Sequence, residues 1–210
     1  IKNETVELFG KNATVPFING CDNSYHPCQI LADALTILEK FGTLDVNLMY
    51  IGAKNNVFNS HVEFFSKMKK GTLYGLTPLV NETACGPDFY EEAKKSGHYI
   101  ELDPAMSMEE AKEYANKMDV LYTDTWVDME FFNNPAYQKQ KEETLAKMMP
   151  YQLNGDFTKD SKAIVFHDMP MHVGFEISQD VVDKNLDHIL DEAENRRHAE
   201  KAVMYTLLNS

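Results

Sequence analysis

The run Asp119-Val-Leu-Tyr-Thr-Asp-Thr-Trp-Val-Asp-Met-Glu130 passes from apolar residues straight into Asp124, Thr125, Trp126, Asp128 and Glu130. A carboxylate at a strand end, such as Asp124, can bind an ammonium group. A buried tryptophan beside it, Trp126, excludes water and strengthens the pairing. Equally open is a bland alternative, with Asp124 capping a turn and Trp126 packed in the core. In His167-Asp-Met-Pro170 a His-Asp pair could bind a carbonyl and a protonated amine, or move a proton. His172 and Glu176 follow, but their spacing with His167 fits no standard metal-ligand pattern, so a metal is not expected. His26 and Gln29 flank a helix start, where free N–H groups favour anions. There they either donate to a carbonyl or merely cap the helix around Pro27. Gly52-Ala-Lys-Asn-Asn56 offers paired amides at another helix start, and lacks the second and third glycines of a dinucleotide loop. Asn55 or Asn56 capping that helix, with Lys54 solvated, is the plain reading. Glu194-Asn-Arg-Arg197 places arginines near a helix start, which the dipole disfavours. A guanidinium there clamps a carbonyl or carboxylate, or pairs with Glu192 or Glu194.

Positioning these groups requires strands that end at one rim. Leu48–Val57, Asp119–Glu130 and Ala163–His172 each run from an apolar strand into a polar tip. In open α/β sheets, ligands sit outside the carboxyl ends of the strands. Apolar spacing predicts a helix from Pro27 to about Phe41 stopped by Gly42, and a second over 56–70 stopped by Gly71. Strands are expected at 47–51, 72–77, 98–101, 120–123 and 163–166, with another possible at 188–190. Helices are expected at 87–96, from a Ser107/Glu110 capping box to Met118, at 134–147, at 178–184 and at 192–208, with a short helical piece at 149–154. Residues 1–20 read as an extended lead-in. The alternation implies an α/β fold: three αβα layers around a mainly parallel, doubly wound sheet.

Composition narrows the classes. The 210 residues carry 33 acidic and 20 basic side chains, a net charge of -13 that repels phosphate backbones and argues against nucleic acid. No apolar run is long enough to span a bilayer, so no membrane partner is expected. Cys21, Cys28 and Cys85 form no CxxC and are odd in number, which fits a reducing, cytoplasmic setting. The sequons at Asn3, Asn12 and Asn81 read as chance matches.

Taken together, the motifs resemble the aspartate/ornithine carbamoyltransferase family, nearer its ornithine branch. In order along the chain, His26-Pro-Cys-Gln29 is similar to that family's H-P-x-Q, and Ile51-Gly-Ala-Lys-Asn-Asn56 to its I-G-D-x-N-N. Tyr122-Thr-Asp-Thr-Trp126 is similar to its D-T/V-W segment, His167-Asp-Met-Pro170 stands in the place of H-C-L-P, and Ala193-Glu-Asn-Arg196 matches A-E-N-R. The resemblance implies an enzyme that transfers the carbamoyl group of carbamoyl phosphate to ornithine or a related amino acid or diamine. It further implies a homotrimer and no metal or organic cofactor. His26, Gln29 and Arg196 would then hold the carbamoyl carbonyl and its developing oxyanion. Asn55 and Asn56 would position the amine, Asp124, with Asp128 and Met129 of the same loop, would bind the acceptor, and His167, Asp168 and Met169 would lie beside the attacking nitrogen.

Departures from the family pattern bear on the acceptor. Asp128 and Glu130 replace the serine and glycine of D-x-W-x-S-M-G, and Asp168 replaces the cysteine of H-C-L-P. These acidic changes suit a more cationic acceptor, whereas Lys54, at or beside the family's aspartate, favours a carboxylate bound elsewhere. The family's S-T-R-T phosphate loop does not occur in the sequence. The expected organisation is therefore the tail of a carbamoyl-phosphate domain at 1–25, an interdomain helix at 26–42, an amine-binding α/β domain at 43–190 and a returning helix at 191–210. Little turnover is expected of this stretch alone. The alternatives are a non-catalytic homologue that binds an amino acid or amine, and an unrelated α/β enzyme with a metal on His167, His172 and Glu176.

Overall fold

The computed structural model describes residues 1–127 and 129–209, including every side chain among them except those of Met129 and Glu130. Five strands form one parallel sheet: β1 (Asn47–Lys54), β2 (Thr72–Val80), β3 (Tyr99–Glu101), β4 (Val120–Thr123) and β5 (Ile164–His167). Their spatial order is β3-β2-β1-β4-β5. The chain thus winds outward from β1 to β3, then returns to the other side of β1 for β4 and β5. The switch of direction lies between β1 and β4, where the carboxyl ends of an open sheet leave a crevice.

Side chains alternate across the sheet with the period of two that extended backbone imposes. Leu48, Tyr50, Val120, Tyr122 and Phe166 face one apolar layer with Val57, Phe58 and Phe65 of α3 (Asn56–Met68). Met49, Ile51, Leu121 and Val165 face the other, with Ala111 and Ala115 of α5 (Met108–Ala115) and Val181 of the terminal helix. Both layers are apolar and buried, and the three-layer αβα architecture expected from the sequence is the one observed.

Local signals placed most elements. Helix α2 (Pro27–Phe41) begins with proline in its first turn and ends at Gly42 in the left-handed region, φ 70°. Helix α4 (Pro87–Lys94) and the capping box of Ser107 with Glu110 also fall where expected. Strand β1 runs to Lys54, beyond the expected Ile51, and its register with β2 shifts between Ile51 and Ala53. After β4 come the short helix α6 (Met129–Phe132), a 3-10 turn at Pro135–Tyr137, α7 (Gln138–Met148), a 3-10 turn at Met149–Tyr151 and α8 (Gly155–Thr158).

Two expectations fail. Residues 1–20 are not wholly extended: α1 (Asn3–Asn12) is a helix with no buried residue, supported by the Glu7–Lys11 ion pair one turn apart. Residues 13–20 have no regular structure. His188–Leu190 is not a strand. It lies inside α9 (Gln179–Leu208), a continuous 30-residue helix that also passes through the expected boundary at 190/191. The segment has no glycine or proline to stop it, and Val181, Asn185, Ile189, Glu192, Asn195 and Ala199 are buried at helical spacing. The stripe that packs on α2 and β5 overrides the strand preference of Ile189-Leu190. Among the described residues, no helix is long and apolar enough to cross a membrane.

Candidate active site at the carboxyl rim of the sheet

Asn55 caps α3 and reaches across the switch point at the same time. Its Oδ1 accepts the Phe58 N–H at 3.0 Å, while its Nδ2 donates to Asp124 Oδ2 at 2.7 Å. The other oxygen of Asp124 accepts the Thr125 N–H at 2.6 Å. Cap and ligand-side readings, open in the sequence, are here one side chain. Burial raises the Asp124 pKa, opposed by His167 and by the Asn55 and Thr125 hydrogen bonds. Trp126 is buried beside it, as expected. Asn56, by contrast, turns back to the lead-in and donates to the Asp22 carbonyl at 2.9 Å.

A second group assembles from α2, β5 and α9. Arg196 Nη1 lies 3.4 Å from His26 Nε2, and Asp168 Oδ2 lies 3.7 Å from the same nitrogen. A guanidinium can only donate, so this nitrogen is the acceptor and the imidazole proton resides on Nδ1. Burial, reinforced by Arg196, pulls the His26 pKa down to about 4, so the ring is neutral at physiological pH. Asp168 is pushed the other way, well above the usual carboxylate range, by burial and then by the charges of Asp124, Asp33 and Glu192. Met169 is partly exposed at the same strand end.

Gln29 donates its amide nitrogen to Asp33 Oδ1 at 3.0 Å and to Glu192 Oε1 at 2.9 Å. Both amide hydrogens are thereby used, and the carbonyl oxygen is the atom left for a ligand. Gln29 is thus set to accept from an N–H, not to donate to a carbonyl as the motif alone suggested.

His167 is fully buried, with Nε2 3.2 Å from Glu176 Oε1 and Nδ1 2.9 Å from the Asp168 carbonyl. Both ring nitrogens face acceptors. Burial lowers its pKa, but Glu176, Asp124 and Glu192 outweigh burial and hold it above the ordinary value. Glu176 also accepts the His172 backbone N–H. No group of three or more His, Cys, Asp or Glu among the described residues is arranged to hold a metal.

Lys54 is neither solvated nor free. It pairs with Glu101 of β3 and lies 4.4 Å from the centroid of the Tyr90 ring. Its charge is spent within the protein, which removes the argument that it awaits a ligand carboxylate. Asp128 lies outside the described residues, as does the side chain of Met129.

Asp33 and His61 escaped the sequence reading, and Glu192 entered it only as an exposed partner for an arginine, whereas Arg196 pairs with Glu200 and Arg197 with Glu194. Asp33, His61 and Glu192 are each at most 1% exposed. Asp33 and His61 approach to 3.2 Å. The available signal was an ionisable residue on the apolar stripe of a helix, a place such residues rarely occupy unpaired. Asp33 follows Gln29 by one turn, and Glu192 precedes Arg196 by one turn. Desolvation pushes Asp33 up to about 7 and Glu192 well above its usual value. Asp33 therefore holds a proton in the folded state that the unfolded chain releases near pH 4. Its contribution to stability is full below that pH and is lost as pH rises through about 7. Urea unfolding at pH 5 and pH 8 is expected to show wild type losing more stability across this interval than Asp33→Asn, by on the order of 2 kcal/mol.

Comparison with known proteins bears on the whole chain. Residues 44–207 match the family described as aspartate/ornithine carbamoyltransferase, Asp/Orn binding domain, and residues 1–39 match its carbamoyl-P binding domain. An ornithine carbamoyltransferase of Chlorobaculum tepidum is 35% identical over 99% of this chain and 59% of its own length. That of Pyrococcus horikoshii is 37% identical over 97% of this chain and 62% of its own. Among solved structures, the ornithine carbamoyltransferase of Pyrococcus furiosus superposes with a TM-score of 0.79 at 34% identity, over 97% of this chain and 63% of that one. The enzyme of Thermus thermophilus gives 0.78 at 31%, over 99% and 64%. The chain thus spans about six tenths of the length of the curated relatives it matches. With matches over both segments and a rim where Asn55 meets Asp124 and His26 meets Arg196, the chain belongs to the aspartate/ornithine carbamoyltransferase family.

Proposed function

We propose that this chain supplies the amine-binding side of a carbamoyltransferase active site, with carbamoyl phosphate as donor and ornithine or a related amine as acceptor. One observation carries the reading. The Asn55–Asp124 pair and the His26–Arg196–Asp168 group occupy the same rim, where Asp124 and Asp168 feel each other's charge. In the reaction, the lone pair of a neutral amine forms the new N–C bond. The C–O bond to phosphate breaks, phosphate leaves with the bonding pair, and the amine gives up one proton to the departing phosphate. Arg196, whose guanidinium donates to neutral His26 and is oriented by it, faces the carbonyl oxygen as charge develops on it, Gln29 Oε1 accepts from the carbamoyl N–H, and Asp124 holds the acceptor's cationic end.

The acidic rim sets the acceptor class. Asp124 and Asp168 lie close enough at one rim for the charge of Asp124 to raise the Asp168 pKa, while Lys54 is paired with Glu101. An acceptor with a second positive group, such as a diamine or guanidino-amine, fits that balance better than one with a free carboxylate. A radiolabelled transfer assay over ornithine, putrescine, agmatine and acylated ornithines tests this. The expected result is at least about 10-fold higher kcat/KM for a diamine or agmatine than for ornithine, about 1.4 kcal/mol of discrimination. Ornithine as the preferred acceptor refutes the shifted specificity. Amine binding without transfer, when the carbamoyl-phosphate-binding side is also supplied, identifies a non-catalytic homologue.

The division at 1–25, 26–42, 43–190 and 191–210, homotrimeric assembly and a cytoplasmic setting belong to the same reading. Family matches to 1–39 and 44–207 support a division near residue 40. A solution mass three times that of the chain supports the trimer.

A further inference from the structure

Glu192 is fully buried on α9, and its two oxygens are committed in different directions. Oε1 accepts from Gln29 Nε2 at 2.9 Å, and Oε2 accepts the backbone N–H of His167 at 2.9 Å. These partners belong to separate parts of the rim. Gln29 lies in the first turn of α2, and His167 is the last residue of β5, immediately before Asp168 and Met169. Asp33 completes the arrangement by taking the second N–H of Gln29 at 3.0 Å.

Stability gives no reason for this design. Neither Glu192 nor Asp33 forms an ion pair with Lys or Arg among the described residues, and burying two carboxyl groups is costlier than burying an apolar pair. Geometry gives one. A carboxamide can flip end for end, and the flip would turn the Gln29 oxygen toward two carboxyl groups. A carboxyl group offers two oxygens at this spacing, whereas a glutamine of equal size offers one oxygen and an NH2 group, which cannot accept from both Gln29 and His167.

We propose that Glu192, assisted by Asp33, is a positioning residue that couples the two sides of the site: it fixes the Gln29 carboxamide with its oxygen toward the cleft and, through the His167 N–H, sets the Asp168–Met169 rim. Its kinetic consequence rests on the carbamoyltransferase reading, but the structural consequence does not.

The test compares the full chain with Glu192→Gln, following the Gln29 side-chain amide and the His167 backbone amide by 1H–15N NMR. In wild type the Gln29 amide protons are expected to exchange on the order of 100-fold slower than those of exposed Gln140. In Glu192→Gln both signals are expected to shift together, the slow exchange to be lost, and kcat to fall about 100-fold. Asn185→Leu is the matched control. Asn185 also ties α9 to β5, through the Val165 N–H at 3.1 Å, without touching Gln29. It is expected to lower thermal stability while leaving the Gln29 signals and kcat in place.

Unchanged Gln29 signals in folded Glu192→Gln overturn the proposal, as does a kcat within twofold of wild type. Equal loss of kcat in Asn185→Leu overturns it too, because the effect is then merely structural. If wild type shows the slow amide and its loss in the variant but transfers carbamoyl to no amine, positioning stands and the transferase reading fails. Should Glu192→Gln not fold, wild type is titrated from pH 5 to pH 9. The groups facing the carboxyl pair are His61 of α3, Tyr122 of β4, His167 of β5, Asp168 just beyond it, and Arg196 of α9. Gln29 and His167 signals are expected to move with one common midpoint; separate midpoints or no movement overturn the coupling.

Discussion

Asp124→Asn is expected to lower kcat/KM for carbamoyl transfer by about 10²–10⁴-fold in the full chain. The substitution keeps the shape of the side chain and removes the charge that faces the acceptor. Losing one partner of a buried, hydrogen-bonded charge pair costs about 3–5 kcal/mol, which is that range of rate. The effect on folding is smaller and has a separate cause. Both oxygens of Asp124 accept, one from Asn55 and one from Thr125, so an asparagine must point its NH2 group at a donor. That conflict costs about 1–3 kcal/mol. Steady-state assays beside a urea unfolding curve separate the two. A kcat/KM within threefold of wild type would remove Asp124 from the site.

Gly71→Ala is the opposite case, a large loss of stability with little change in chemistry. Gly71 has φ +64°, and a Cβ placed there would lie 2.3 Å from the Val46 carbonyl oxygen and 2.9 Å from that of Leu44. Both obstacles are backbone and cannot rotate away. The left-handed conformation costs about 1–2 kcal/mol in an L-residue, and moving the Val46 segment adds to it. A total of about 3–5 kcal/mol is expected, a fall in Tm on the order of 10 °C for a chain of this size. Gly71 sits at the amino end of β1 and β2, whereas Asn55 follows the carboxyl end of the eight-residue β1, roughly 25 Å away. Activity per folded molecule, assayed well below the Tm, is therefore expected to stay within twofold. A Tm unchanged within 2 °C would show that the 71–72 turn relaxes freely.

Between them these variants divide the sheet into an amino end that holds the fold and a carboxyl end that holds the chemistry. The carboxyl end stores unfavourable electrostatics: Asp124, Asp168, Asp33 and Glu192 are all shifted upward by burial. Such groups cost stability, and their clustering at one rim beside Arg196 is the pattern of a binding site.

Sequence alone settled which segments are strands and which are helices over most of the chain, because those choices depend on neighbours in the chain. Pro27 and Gly42 bound α2, Ser107 and Glu110 cap α5, and alternation or helical spacing of apolar residues marks each buried face. The motifs His26–Gln29, Ile51–Asn56, Tyr122–Trp126, His167–Pro170 and Ala193–Arg196 likewise lie on the sequence as short local patterns, enough to name a family. Where local preference met a tertiary demand, local reading failed. His188–Leu190 resembles a strand, yet burial of a stripe from Val181 to Ala199 makes it helix. The tertiary structure alone decided which polar groups meet. Asn55 rather than Asn56 reaches Asp124, Lys54 is consumed by Glu101, and Gln29 is oriented by Asp33 and by Glu192, 163 residues away. A hydrogen bond depends on a few ångströms and one rotamer, and that information exists only after distant elements have packed.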